Sequence, residues 1–172
     1  MRKITFERVL PFLLLDEGGY SNRKKDRGGP TNKGITWKTY NAYRRRKGLP
    51  IRSVKQIEDH EVREIYRTEY WDEVRADELP EHLRYTVFDA AVNSGPERAI
   101  RLLQQVGKVD DDGIIGPKTL AAAEKVLLAD YSLRRERWYE QIIDNDPEQE
   151  VNRRGWMNRV KKVHNRTITM LE

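Results

Sequence analysis

The sequence predicts a mainly α-helical protein with one small irregular or β-hairpin segment around residues 18–36. Three observations carry this. Apolar residues recur at helical spacing along most of the chain, as in Val62, Ile65, Tyr66 and Tyr70. Charged residues, 35% against 37% apolar, fill the positions between them, which is the balance of a folded helical globule and not of a disordered chain. Glycine is concentrated in one stretch, where Gly18, Gly19, Gly28, Gly29 and Gly34 stand with Pro30 and exclude a helix.

The elements follow in order. A first helix spans about Thr5 to Leu15, with Val9, Leu10, Leu13 and Leu14 on one face and Pro11 inside, where a kink or restart is expected. After the glycine-rich segment, Thr36 can cap a helix through about Lys47, ended by Gly48 and Pro50. Ser53 and Gln56 have capping-box spacing for a short helix, and another is expected from about Asp59 to Trp71. Leu83, Val87, Phe88 and Ala91 mark a helix ending near "NSGP", and Pro96 opens the next, with Ile100, Leu103 and Val106. A glycine-bearing turn precedes Pro117 and a long helical stretch toward Ile143; a linker, "DNDPEQE", then leads to a last basic helix with Trp156, Val160 and Val163. "DELPEHL" is the best boundary, giving lobes 1–78 and 79–172 expected to pack as one compact unit. At 172 residues such a chain hides roughly two thirds of its unfolded surface.

Composition excludes several functions. Without cysteine there is no disulfide framework, thiolate nucleophile or thiolate metal site. His60, His82 and His164 stand far apart, so no zinc amidase or peptidase is expected, nor any metal or cofactor. The net charge of +5 points to an acidic partner: nucleic acid, anionic lipid or an anionic wall polymer. Cations and acids are interspersed, with basic patches only at "YRRRKG" and in the last helix, which argues against nucleic acid. No apolar run approaches twenty residues, so no stable membrane insertion is expected, and the cations of the last helix read as a solvated face. The run Val9–Leu15 is interrupted by Pro11 and ends in Asp16 and Glu17 instead of a cleavage site, so the expectation is a monomer made in the cytoplasm without a signal peptide.

Chemistry concentrates in "DEGGYSNRKKDRGGPTNKGIT", residues 16–36. Glu17 follows an apolar helix and precedes two glycines, half out of water, where desolvation favours the protonated form that a general acid needs. On spacing alone, a solvated helix-end acid explains it more simply. Asp26 lies nine positions later across a loop that can bring the two carboxyls opposite each other, the arrangement glycoside hydrolysis requires; pairing with Lys24, Lys25 or Arg27 is the alternative. Thr31, Asn32 and Thr36 carry hydrogen-bonding groups suited to a sugar or a water, and turn or cap roles explain them as well. Trp37, Tyr40, Trp71 and Trp156 can stack on sugar faces or fill the core.

The ordered run "EGGYSNRKKDRGGPTNKGIT" resembles the signature of glycoside hydrolase family 108, the lysozyme-like muramidases found among phage endolysins. The resemblance implies a lysozyme-like fold, with Glu17 as catalytic general acid and Tyr20 of the Glu-Gly-Gly-Tyr segment, Asn32 and Thr36 beside the substrate. Phage-type lysozymes more broadly place an Asp nine positions after the Glu and a Thr six beyond that. Glu17 and Asp26 fit, but the third position is Asn32, with Thr31 one short, and Thr31 is taken for the third catalytic role. "FDAAVNSGPERAIRLLQQVGKVDDDGIIGPKTLAA" is similar to the peptidoglycan-binding region that follows in this family, with "DGIIGPKT" its most specific part. Read without the family, that motif is a turn and a proline-started helix. Asn93 and Ser94 end a helix that borders the cleft in lysozyme-like folds and are further candidates for substrate contact.

The resemblance thus implies a glycosidase that cuts the β-1,4 bond between N-acetylmuramic acid and N-acetylglucosamine of bacterial peptidoglycan, lysing the cell after release to the wall. Two alternatives stay open: a lytic transglycosylase using one acid, and a non-catalytic wall-binding or secretion-assisting protein. Asp26 favours hydrolysis, and Glu17 argues against the binding protein. Whether the anomeric centre is inverted or retained depends on a carboxyl separation that sequence does not fix.

Overall fold

In the computed structural model of the chain, residues 3–21 and 29–172 are described. The expected mainly helical class is found: among these residues are eight α-helices, α1 (Phe6–Glu17), α2 (Trp37–Arg46), α3 (Asp59–Tyr66), α4 (Glu81–Ser94), α5 (Pro96–Gly107), α6 (Pro117–Ala123), α7 (Leu128–Asn145) and α8 (Arg153–Leu171). Two short strands, β1 (Thr31–Asn32) and β2 (Ile35–Thr36), pair antiparallel with Thr31 opposite Thr36 and Asn32 opposite Ile35. No described helix is long and apolar enough to cross a membrane.

The chain divides into two compact units, Phe6–Glu69 and Met1–Thr5 with Tyr70–Glu172. The division falls short of the boundary expected at 78/79 because Trp71, Val74, Ala76 and Leu79 are core residues; Trp71 meets Phe88 of α4 edge-on, with centroids 5.2 Å apart.

In the Phe6–Glu69 unit, α1 buries Phe6, Val9, Leu10 and Leu13, continues through the exposed Pro11 as one helix, and stops where Gly18 turns to φ +73°. Thr36 caps α2 as expected, its Oγ1 accepting from the Thr39 amide at 3.1 Å. The helix expected at Ser53 is a single 3₁₀ turn, Val54–Gln56, and the one expected over 59–71 is α3 followed by a π-helical turn, Arg67–Trp71. Tyr40 is core. It belongs to a polar knot in which the buried Glu61 accepts from Tyr40 Oη at 2.7 Å, Arg44 Nη1 at 2.7 Å and Arg52 Nη2 at 2.8 Å. Burial pushes the Glu61 carboxyl toward its neutral form, but the Glu58 amide, Tyr40 and Arg52 outweigh it and hold it below the ordinary carboxylate value.

In the other unit, α4 is buried at every position from Tyr85 to Ala91, the mark of a central helix, and α5, α7 and α8 pack around it. Asp89 at its middle is fully buried, its Oδ2 2.9 Å from Arg135 Nη2 and its Oδ1 2.9 Å from Arg159 Nη2. The long helix expected after Pro117 breaks between α6 and α7: Val126 enters the core and its carbonyl lies 2.8 Å from His82 Nε2, a tertiary contact that overrides the helix formers around it. The linker after α7 is a 3₁₀ helix, Pro147–Asn152. "DGIIGPKT" closes around the buried Gln104, whose amide accepts from Gly113 N at 2.9 Å and donates to Asp112 Oδ1 at 2.8 Å and Thr119 Oγ1 at 3.0 Å, so the motif forms a turn leading into the proline-started α6.

Candidate active site

The glycine-rich segment folds as a hairpin because its centre, Lys33-Gly34, takes left-handed backbone at both positions, φ +51° and +79°, as a two-residue reversal of this kind demands. The hairpin is tethered on three sides. Asn32 Nδ2 donates to the Val54 carbonyl at 3.3 Å, Tyr66 Oη of α3 donates to the Lys33 carbonyl at 2.6 Å, and the Lys33 ammonium pairs with Asp59 at the start of α3. Ser21 and Thr31 exchange two backbone hydrogen bonds of 2.8 Å, pinning together the ends of the segment that carries Asp26. Asp26 itself lies outside the described residues.

Glu17, the last residue of α1, is half-buried and its carboxyl lies against this turn. A Cβ added at Gly34 would meet the Tyr66 hydroxyl and, at 2.6 Å, Glu17 Oε2; both oxygens lie within that distance of one point, so they are at most twice it apart. Gly34 is therefore required twice, for its φ and for the clearance that lets the carboxyl reach the turn. The result is a carboxyl fixed by an apolar helix behind it, next to a fully buried tyrosine and partly open to water.

The other residues singled out in the sequence sort by unit. Tyr20 is 44% exposed, with the Lys55 ammonium 5.6 Å from its ring centre. Thr31 begins β1 at the open end of the hairpin, half-buried, opposite Thr36. Asn32 and Thr36 hold the hairpin and the start of α2, so their amide and hydroxyl have structural work whatever else they contact. Trp37 is 39% exposed, whereas Trp71 is core. Asn93 and Ser94 belong to the Tyr70–Glu172 unit, at the end of α4, where Asn93 Oδ1 accepts from Tyr139 Oη at 2.5 Å.

Sequence reasoning missed Tyr66 as a partner of the hairpin, reading it only as part of an apolar face. The signal for Gly34 was present, since Asn-Lys-Gly between short β-formers is a turn pattern, but nothing in the sequence links that turn to Tyr66. Tyr139 and Trp138 were also missed, although adjacent aromatics in a helix cannot both face one core.

Comparison with known proteins places these observations. Residues 10–95 match the family model described as glycosyl hydrolase 108, and residues 98–161 match that of a predicted peptidoglycan domain. Among solved structures the chain is similar to SagA of Brucella abortus, with 35% identity and a TM-score of 0.82 over 95% of this chain and 94% of that one, and the fold is lysozyme-like. No curated protein matches.

Proposed function

The chain belongs to the glycosyl hydrolase 108 family, and on that premise we propose that it is a muramidase, hydrolysing the β-1,4 bond between N-acetylmuramic acid and N-acetylglucosamine in peptidoglycan. That it is a glycoside hydrolase with a peptidoglycan domain follows from the family matches. The choice of bond and the roles below are the reading offered here.

The observation that carries it is the Glu17 carboxyl, seated against Gly34 at the end of α1 and half open to solvent. In this role the carboxyl gives its proton to the leaving glycosidic oxygen as the bond to C1 breaks, and water adds its hydroxyl to C1 while its remaining proton passes to Asp26 or back to the Glu17 carboxylate. Asp26 is assigned the second carboxylate, guiding that water or supporting the positive charge at C1, and Thr31 an auxiliary contact. The biological setting proposed is an endolysin, made in the host cytoplasm and acting on the wall after release.

The test is digestion of purified peptidoglycan with mass analysis of the sugar ends. Reducing-end N-acetylmuramic acid is expected; anhydro-muramyl ends would make the protein a lytic transglycosylase, and no cleavage would leave a binding protein. Glu17→Gln is expected to keep the fold and lose on the order of 10² to 10⁴-fold in turnover, because the amide has no proton to donate. Near wild-type turnover in a folded Glu17→Gln protein would remove the assignment.

A further inference from the structure

We propose that Tyr66 is the positioning residue of the general acid: from the end of α3 it holds the Lys33-Gly34 turn against one edge of the Glu17 carboxyl, so that Oε1 is the oxygen that faces the sugar and delivers the proton. The proposal rests on the role given to Glu17 above. All of these residues belong to the Phe6–Glu69 unit.

The orientation follows from which atoms crowd Gly34. A Cβ added there would meet Tyr66 Oη first, then Glu17 Oε2 at 2.6 Å and Glu17 Cγ at 2.8 Å, and the carboxyl carbon bonded to both is further off. In a planar carboxyl that order puts the Cγ–Oε2 edge toward the turn and directs Oε1 away from it. Tyr66 Oη reaches the same point from α3, so the turn, the phenol and one carboxyl edge close on a space that only a glycine leaves open.

The phenol is fixed from behind, and its chemistry is limited. Tyr66 is the last residue of α3, fully buried and one turn beyond the buried Val62. Asp59, two helical turns earlier on the same face, pairs with the Lys33 ammonium, so α3 grips the turn at two points. Of the two, Asp59 is exposed and only Tyr66 lies against the point that the carboxyl also crowds. Tyr66 Oη has one proton and donates it to the Lys33 carbonyl at 2.6 Å, so toward Glu17 it can only accept. It therefore supplies no proton to the reaction and acts through Glu17. The α-helical ladder stops at Tyr66 and a π-helical turn, Arg67–Trp71, follows, an irregularity of the kind that recurs at functional sites.

The test is Tyr66→Phe, which removes the oxygen and keeps the ring, assayed on purified peptidoglycan per folded molecule. A carboxyl displaced from its working position loses turnover and not affinity, so kcat is expected to fall by roughly tenfold or more with KM within about twofold of wild type. A smaller loss, or one carried by KM, overturns the proposal. A general weakening of the fold is separated by Glu17→Asp, whose shorter side chain withdraws the carboxyl from the turn. Adding Tyr66→Phe to that variant is expected to lower kcat by less than about twofold further. A larger further loss shows that Tyr66 acts apart from Glu17 and overturns the role. A crystal structure of the wild-type protein needs no variant: a carboxyl with its Cγ–Oε2 edge turned away from Tyr66 overturns it as well. Analysis of the sugar ends separates this role from the muramidase reading. Anhydro-muramyl ends with the same pattern of losses keep Tyr66 in its role and remove the muramidase; reducing ends without that pattern remove the role of Tyr66 alone.

Discussion

At the hairpin of the Phe6–Glu69 unit the Glu17 carboxyl stands half-buried, whereas at the centre of the other unit the Asp89 carboxylate is fully buried between Arg135 and Arg159. Both are acids on helices, and the difference lies in what the surroundings do with the charge. Around Asp89 burial opposes ionisation, and the two guanidinium groups outweigh it, holding the carboxyl below its ordinary value. An acid held that way is locked as an anion and serves as an anchor for three helices. At Glu17 the decisive neighbour is a glycine, whose missing side chain leaves the carboxyl room to close onto the hairpin turn. At Asp89 charge pairing anchors a core, and at Gly34 the absence of a side chain seats a half-buried carboxyl.

The largest stability effect is expected where pairing is complete. Asp89→Asn leaves two buried arginines without their anion and is expected to cost about 3–5 kcal/mol in urea unfolding, whereas Glu17→Gln stays within about 1 kcal/mol of wild type. A small loss in Asp89→Asn would break the contrast. The same centre sets an acid limit. Because the folded Asp89 pKa lies below the unfolded value of 3.8, its contribution is full above that value, declines as pH falls through the interval between the two, and is gone below the folded pKa. The unfolding midpoint of Asp89→Asn is expected to lack this part of the acid sensitivity.

Much of this was legible in the sequence, and the reasons differ by region. The helices announced themselves because apolar spacing reports which face is buried, and the cap at Thr36 and the proline that starts α5 at Pro96 are local chemistry. The break before α7 was not legible, since the carbonyl of Val126 meets His82 forty-four residues away. That Glu17 ends an apolar helix before two glycines was visible in the sequence, but its neighbour Tyr66 was not. Likewise, Asp89 reads as one more acid in a helix, and only tertiary contact with α7 and α8 shows that it organises the unit.

Clearance at Glu17 is tested by filling it. Gly34→Ala places a Cβ 2.6 Å from Glu17 Oε2 and forces a side chain into left-handed backbone, a strain of about 1–3 kcal/mol before the overlap is counted. Gly48→Ala is the control, because Gly48 has φ +68° but nothing within 4 Å of an added Cβ. Both are expected to lose stability, and only Gly34→Ala to lose peptidoglycan hydrolysis beyond its unfolded fraction. Equal activity in the two variants would mean that clearance at Gly34 does not position the carboxyl.

The smallest effect is expected at Thr36, where the sequence left two roles open. Its hydroxyl accepts from the Thr39 amide and donates to Thr39 Oγ1, both at 3.1 Å, so its proton is already directed into the first turn of α2. A cap of this kind contributes about 1 kcal/mol, and Thr36→Ala is expected to lower stability by about that amount while Thr36→Ser, which keeps the oxygen, does not. Well below the unfolding midpoint, kcat/KM on peptidoglycan is expected to be unchanged in both. A loss of turnover in Thr36→Ala exceeding its unfolded fraction, restored in Thr36→Ser, would give the hydroxyl a substrate contact as well as the cap. The hairpin would then touch the sugar directly through Thr36 as well as seat the Glu17 carboxyl through the clearance at Gly34.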